Sequence, residues 1–321
     1  MLGRVLTLIL FVEMFVYCGY AVARVAVGAW SPAFAILFIL GMPLLVRGAL
    51  TAISFAVAWR FRSPRPEAGV ISPLEGTLLF FREWAVTTFQ YSFGQAFDNV
   101  FVAPDRLPQV ANDEVPVLLV HGYLCNRGVW WWLKPRLERA GHVVATVTLE
   151  PVLGEIDDLV RPLRERIEAI CSETGARRVA LVCHSMGGLT ARAYIRACGS
   201  ERVARLVTIA TPHQGTIVAR LGVGRNARQM RVGSDWIDAL AQSRVPANVS
   251  AISIYSLHDN LVVPQDNAML PGTQLMPLTG LGHNETLVSR RVHDLLLGAL
   301  DAAPVRTAQH VVRSGFPASV A

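Results

Sequence analysis

The chain has 321 residues, enough for one large α/β domain and an appendage. Its charged fraction is 17%, against about 25% in ordinary soluble domains, so part of it is built for apolar surroundings. The net charge of +6 is scattered, with no basic stripe interleaved with aromatics, which argues against a nucleic-acid surface; five cysteines without a CxxC pair argue against a zinc site or a disulfide framework.

The apolar excess sits in residues 1–60. Residues 5–23 are interrupted only by Glu13, and residues 25–46 carry no charge. Each run approaches the ~20 residues that cross a bilayer as a helix. A third run, 48–59, either extends the second helix or lies in the interface. Residues 1–62 are therefore expected to be a membrane-anchoring region. Arg4 before it and Arg60, Arg62 and Arg65 after it would put both ends of a two-helix hairpin on the cytoplasmic side, at a bacterial inner membrane; three spans would reverse this. The alternative is secretion, with Ala21-Val22-Ala23 as a signal-peptide cleavage site.

Residues 63–114 read as a connector. Ser63-Pro64-Arg65-Pro66 stops a helix, and residues 76–93 form an aromatic amphipathic helix with Phe80, Phe81, Trp84, Phe89, Tyr91 and Phe93. That helix either lies at a membrane surface or packs on the domain that follows.

From residue 115 strand-type and helix-type patterns alternate. Val115–Val120, His142–Leu149, Val179–Cys183, Val203–Ala210 and Val249–Tyr255 read as strands. Val129–Arg139, Ile156–Cys171, Met186–Ala197 and Leu287–Leu300 read as helices. Such alternation predicts a mostly parallel sheet with helices on both faces, whose chemistry lies at the carboxyl ends of the strands. The domain is expected to span 115–300, with a tail at 301–321.

Within this pattern, Cys183-His184-Ser185-Met186-Gly187-Gly188 follows a strand and opens a helix, the context of a nucleophile elbow. Gly187 meets the demand for small flanking residues, and Cys183 stands where the first glycine of G-x-S-x-G would be. The segment resembles bacterial lipases and esterases of the α/β-hydrolase superfamily. Four further segments resemble that family in the same order: Val117–Tyr123, ending in an HG oxyanion turn; Thr211–Thr216, a TPH-x-G-T loop; Ile254–Val262, which would deliver the acid; and Gly280–His283, which would deliver the base. The resemblance covers roughly residues 115–300 and implies an α/β-hydrolase fold with a Ser-His-Asp triad.

Ser185 is then the nucleophile, and a hydroxyl at neutral pH needs a base, usually His. Among the eight histidines, His184 points away from its neighbour on a sharp turn, His142 opens an early strand, His293 lies inside a helix and His310 lies in the tail. His283, after Gly280 and Gly282, falls where the superfamily places its base. Asp259 closely follows an apolar strand and is the expected carboxylate, with Asp266 next. The backbone N–H groups of Tyr123 and Met186 would form the oxyanion hole, with His121 bracing the loop around Gly122. This chemistry needs no metal or organic cofactor.

Residues 217–247 are expected to cap the site, or to be a decorated crossover. Trp130, Trp131 and Trp132 are candidates for an acyl pocket, with at least one of them expected to be core packing instead. The expected substrate is an apolar ester; a thioesterase, a deacylase, an amidase or a silent scaffold on the same fold are the alternatives.

Overall fold

The computed structural model describes residues 1–111 and 114–302. Helix α1 (Leu2–Ala26) and helix α2 (Pro32–Phe61) form a hairpin. The Ser31 hydroxyl caps α2 by accepting from Phe34 N at 3.2 Å, and Pro32 takes the first helical position, where its missing N–H costs nothing. The third apolar run is simply the end of α2. Both helices are long and apolar enough to cross a membrane by length and composition, and most of their large apolar side chains are exposed.

Helix α3 (Pro73–Phe89) starts at a capping box in which Ser72 and Glu75 satisfy each other's backbone N–H groups. It packs along α2: Trp84 Nε1 donates to Leu44 O at 3.1 Å, and Phe80 meets Phe55. Its Leu74, Leu78 and Phe81 stay exposed, so the helix both packs and presents an apolar face outward. A one-turn helix, α4 (Asp98–Phe101), follows.

Among the described residues the sheet holds six parallel strands in the order β2-β1-β3-β4-β5-β6: β1 (Val117–Val120), β2 (Val144–Thr146), β3 (Val179–His184), β4 (Val203–Ile209), β5 (Ser250–Ser256) and β6 (Gln274–Leu278). Alternate residues of each strand serve opposite cores, as the period of two requires. Leu118, Val120, Leu181 and Cys183 meet helices α6 (Val160–Thr174) and α7 (Met186–Cys198). Val117, Leu119, Val182 and Val207 meet α5 (Leu133–Arg139) and, after the short helices α8 (Arg225–Gln229) and α9 (Asp235–Ala241) of the β4–β5 connection, α10 (Arg290–Asp301). The order reverses between β1 and β3, and at such a switch point the strand ends leave a crevice.

Several elements differ from expectation. The strand expected over His142–Leu149 contracts to Val144–Thr146. The helix expected from Val129 splits into a 3-10 turn, Arg127–Trp130, and α5. Edge strand β6 was not expected at all. Apart from its first two residues, the expected C-terminal tail, including His310, lies outside the described residues.

Candidate active site

The β3–α7 connection is a single residue. Ser185 has φ 55° and ψ −127°, a strained conformation for a side chain with a Cβ, of order 1–3 kcal/mol. It is held because Ser185 N donates to Ile209 O at 2.9 Å and Gly188 N donates back to Ser185 O at 3.0 Å. Gly187 is required by space: a Cβ there would lie 2.4 Å from Val120 O and 2.6 Å from His121 O. Cys183 is accommodated inside the sheet, where burial pushes its thiol pKa up.

The turn after β1 abuts the elbow, since a Cβ on Gly122 would come within 2.8 Å of Ser185 Cβ. Tyr123, which follows, lines the same cavity as Ser185; Met186 is buried at the first position of α7. His121 braces this turn. Its Nε2 accepts from Leu149 N at 2.9 Å, which leaves Nδ1 to donate to Gly122 O at 2.9 Å. Burial holds the ring neutral, with its pKa near 4.

Asp259 sits just past the carboxyl end of β5, fixed by Leu261 N and Val262 N, which donate to Oδ1 at 2.7 and 2.8 Å. Its two oxygens lie 3.1 and 2.9 Å from His283 Nδ1. Both side chains are buried. Burial opposes charge on His283, but the Asp259 carboxylate, helped by a second carboxylate, outweighs it and raises the imidazole pKa above its ordinary value. His184 stacks on His283 with ring centroids 4.7 Å apart, its Nε2 3.2 Å from His283 O. Burial and the neighbouring His283 keep His184 neutral.

That second carboxylate is Glu83 of α3. It is fully buried and accepts from Asn284 N at 3.1 Å, Glu285 N at 2.8 Å and Asn284 Nδ2 at 3.1 Å, so it grips the loop carrying His283. The preceding Arg82 donates to Gly280 O at 2.8 Å. A further tie comes from α2: Asn260 Oδ1 accepts from His283 N at 2.9 Å, while its Nδ2 donates to Ser54 Oγ at 2.8 Å. None of Glu83, Asn260 and Ser54 was expected in the site. Helix α3 carries two acids, Glu75 and Glu83, and its sequence does not mark which of them reaches the base loop.

The other candidates fall elsewhere. Asp266 lies in the turn Gln265–Ala268, its N–H bonded to Ser63 Oγ, and His283 has its carboxylate in Asp259. His293 is buried in α10 with Nε2 2.9 Å from Leu287 O. The tryptophans do not line the cavity beside Ser185: Trp130 is core on the opposite face of the sheet, and Trp131 packs on Phe89 and Trp132. Leu124 and Cys125 still line the cavity, and from Val129 on the chain packs into the core on the other face of the sheet.

Ser185 and His283 share a cavity of about 470 Å³ whose walls are mostly apolar. Val218, Leu221, Val223 and Met230, from the segment expected to be a cap, close one side. Tyr123 joins the oxyanion turn to that segment by a two-way link, accepting from Val223 N at 2.9 Å and donating to Val223 O at 2.6 Å. Among the described residues, no group of three or more His, Cys, Asp and Glu is placed to hold a metal ion.

Comparison with known proteins agrees with this architecture. Residues 116–265 match the palmitoyl protein thioesterase family. Triacylglycerol lipases of Pseudarthrobacter phenanthrenivorans and Burkholderia plantarii are each 32% identical over 109 residues, 32% of this chain and 34% and 30% of theirs. The chain thus spans about a third of the length of these curated relatives. Among solved structures, the mature lipase BlEst2 of Bacillus licheniformis superposes with a TM-score of 0.54 at 18% identity, covering 60% of this chain and 95% of its own. Lipase B of Aspergillus fumigatus gives 0.55 at 19%, covering 75% and 63%. The parallel sheet and its neighbours define an α/β-hydrolase fold. On that fold, the sequence similarity is to a thioesterase family over residues 116–265 and to lipases over 109 residues.

Proposed function

We propose that the protein is a serine hydrolase that cleaves carboxylic esters of apolar substrates through an acyl-enzyme. The observation that carries this reading is the conjunction at one apolar cavity of a strained Ser185 and a buried His283 whose Nδ1 is bonded to Asp259. The reaction follows from these groups. His283, with Nδ1–H engaged by Asp259, has Nε2 free of a proton and takes one from Ser185 as its oxygen attacks the ester carbonyl. The N–H groups of Tyr123 and Met186 receive the oxyanion. His283 returns the proton to the leaving alcohol, and water releases the acid by the same route.

A thioester is the second substrate class, favoured by the palmitoyl protein thioesterase match over residues 116–265. The experiment is a panel of esters and thioesters of graded acyl length with intact protein and Ser185→Ala, alongside peptide mapping of a fluorophosphonate label. Turnover of esters, lost in Ser185→Ala, with label on Ser185, is the expected result. Preference for thioesters moves the assignment to the second class. Label on another residue, or undiminished turnover by Ser185→Ala, defeats the reading.

Residues 1–62 act as the membrane anchor, residues 63–114 as the connector and residues 115–300 as the catalytic domain, with the catalytic domain on the cytoplasmic side. The exposed apolar surface of α1 and α2 supports this, being far larger than a soluble monomer tolerates. An alkaline carbonate wash of membranes should leave the full chain in the pellet. Release into the wash, or a mature N-terminus at Arg24, would mean secretion instead.

A further inference from the structure

We propose that the cleft between the α1–α2 hairpin and the catalytic domain is an acyl-chain channel, through which the fatty chain of a membrane lipid ester enters sideways from the bilayer to reach Ser185. This rests on the serine esterase reading and names the path and class of its substrate.

The cleft, of about 760 Å³, is walled by Leu6, Ile9 and Val12 of α1 and by Val46 and Leu50 of α2. It is continuous with the Ser185 cavity, because Leu50, Tyr91, Leu261 and Asn284 line both. Ile9, Val12 and Leu50 are more than half exposed, so its outer side opens on the same apolar face that α1 and α2 turn to their surroundings. Its inner end carries polar groups of the base loop and its supports: Asn284, Asn260, Glu83 and Ser54. An amphiphile lying in it would therefore place its chain among the apolar residues and its ester toward Ser185.

The charges in the wall favour a chain over a phosphate headgroup. Arg47, the cation of the cleft, is bonded through two nitrogens to both oxygens of Glu13, each at 2.9 Å, and both side chains are largely enclosed. That pair is electrically satisfied, and it ties α1 to α2 along the channel. A chain passing directly from lipid to an apolar channel never meets water, so the cost of exposing its methylenes is avoided.

The test uses the full chain in phosphatidylcholine vesicles, with 4-methylumbelliferyl palmitate embedded in the bilayer and the butyrate ester in solution. Ile9→Trp and Val46→Trp place bulk in the channel away from Ser185. The ratio of palmitate to butyrate turnover should fall roughly tenfold or more in each variant. An unchanged ratio in both overturns the channel. In parallel, Ser185→Ala protein is irradiated with a phosphatidylcholine bearing a diazirine at the end of one acyl chain. Crosslinks concentrated in residues 6–12 and 46–50 support the channel, also where a variant has slowed both esters through misfolding. Crosslinks spread evenly over the outer faces of α1 and α2 overturn it. Wild-type protein inert toward both esters would sink the esterase reading itself, whereas the crosslinking pattern still reports on the channel.

Discussion

The hairpin and the sheet are both built from apolar runs, yet the runs do opposite things. Val117-Leu118-Leu119-Val120 of β1 is buried on both faces of the sheet, whereas the longer run of α2 leaves Ile36, Leu37, Leu40, Leu45 and Leu50 exposed. A parallel strand covered by two helical layers needs apolar residues at every position. A helix among lipids needs them on every side for a different reason, since there is no water to face. The two regions also divide the site between them. The sheet domain holds Ser185, Asp259 and His283, while α2 and α3 hold the loop from which His283 projects, through Ser54 and Glu83.

If the sheet domain carries the chemistry, damage to Asp259 must outweigh any damage to the helical supports. Asp259→Asn keeps an oxygen that can accept from Leu261 N and Val262 N, so the fold should persist. It no longer presents a carboxylate to His283 Nδ1, and the imidazole loses both its preferred tautomer and the charge that stabilises its protonated form. Turnover of a short ester should fall roughly 10³-fold with little change in melting temperature. A loss below tenfold, measured by steady-state kinetics, would mean that Asp259 only orders the loop.

The unequal legibility of the two regions has a physical basis. Ser185 and Asp259 stand out in the sequence because each follows an apolar strand-type run and a sharp elbow restricts which residues can flank the serine; His283 stands out through the glycines before it and the resemblance of its loop. Strand β6 was not readable, because Gln274-Leu275-Met276-Pro277-Leu278 is an edge strand whose residues are mostly exposed or half-buried and whose Pro277 demotes the pattern. The three tryptophans were only partly readable: core packing for at least one was expected and Trp130 has it, but aromatic bulk near an oxyanion turn fits a pocket and a core equally well, and only the direction of the chain decides. Glu83 was hidden for a similar reason. Nothing within α3 tells that an acid will be drawn 200 residues along the chain to the base loop; contacts of that range are decided by packing.

Glu83→Gln tests how strongly the helical region governs the base. The substitution keeps the size of the side chain but removes its charge and turns an amide NH₂ toward N–H donors of Asn284 and Glu285. Turnover should fall roughly tenfold. The sign of the pH effect separates this from simple loosening. With His283 as the base, the active form is deprotonated, and Glu83 is one of the charges that raise its pKa, so the acid limb of kcat/KM should lie above the ordinary histidine value in the wild type. Removing that charge should shift the limb to lower pH. A fall in rate with an unmoved limb would reduce Glu83 to a structural clasp.

The smallest effect should come from the hairpin itself. Ser54→Ala deletes the hydroxyl that accepts from Asn260 Nδ2, leaving the bond from His283 N to Asn260 Oδ1 in place. A single neutral hydrogen bond at a partly buried position contributes about 0.5–1.5 kcal/mol, and only part of it bears on the orientation of His283. Fluorophosphonate labelling of Ser185 should therefore slow by roughly two- to threefold, with the pH limb unchanged because no charge is removed. Labelling kinetics are the suitable readout, since they report the reactivity of the serine without requiring a substrate to pass along the cleft. No change at all would make α2 a passive wall of the site. A loss larger than that of Glu83→Gln would reverse the ranking and make α2, through Asn260, the main support of the base loop in place of α3.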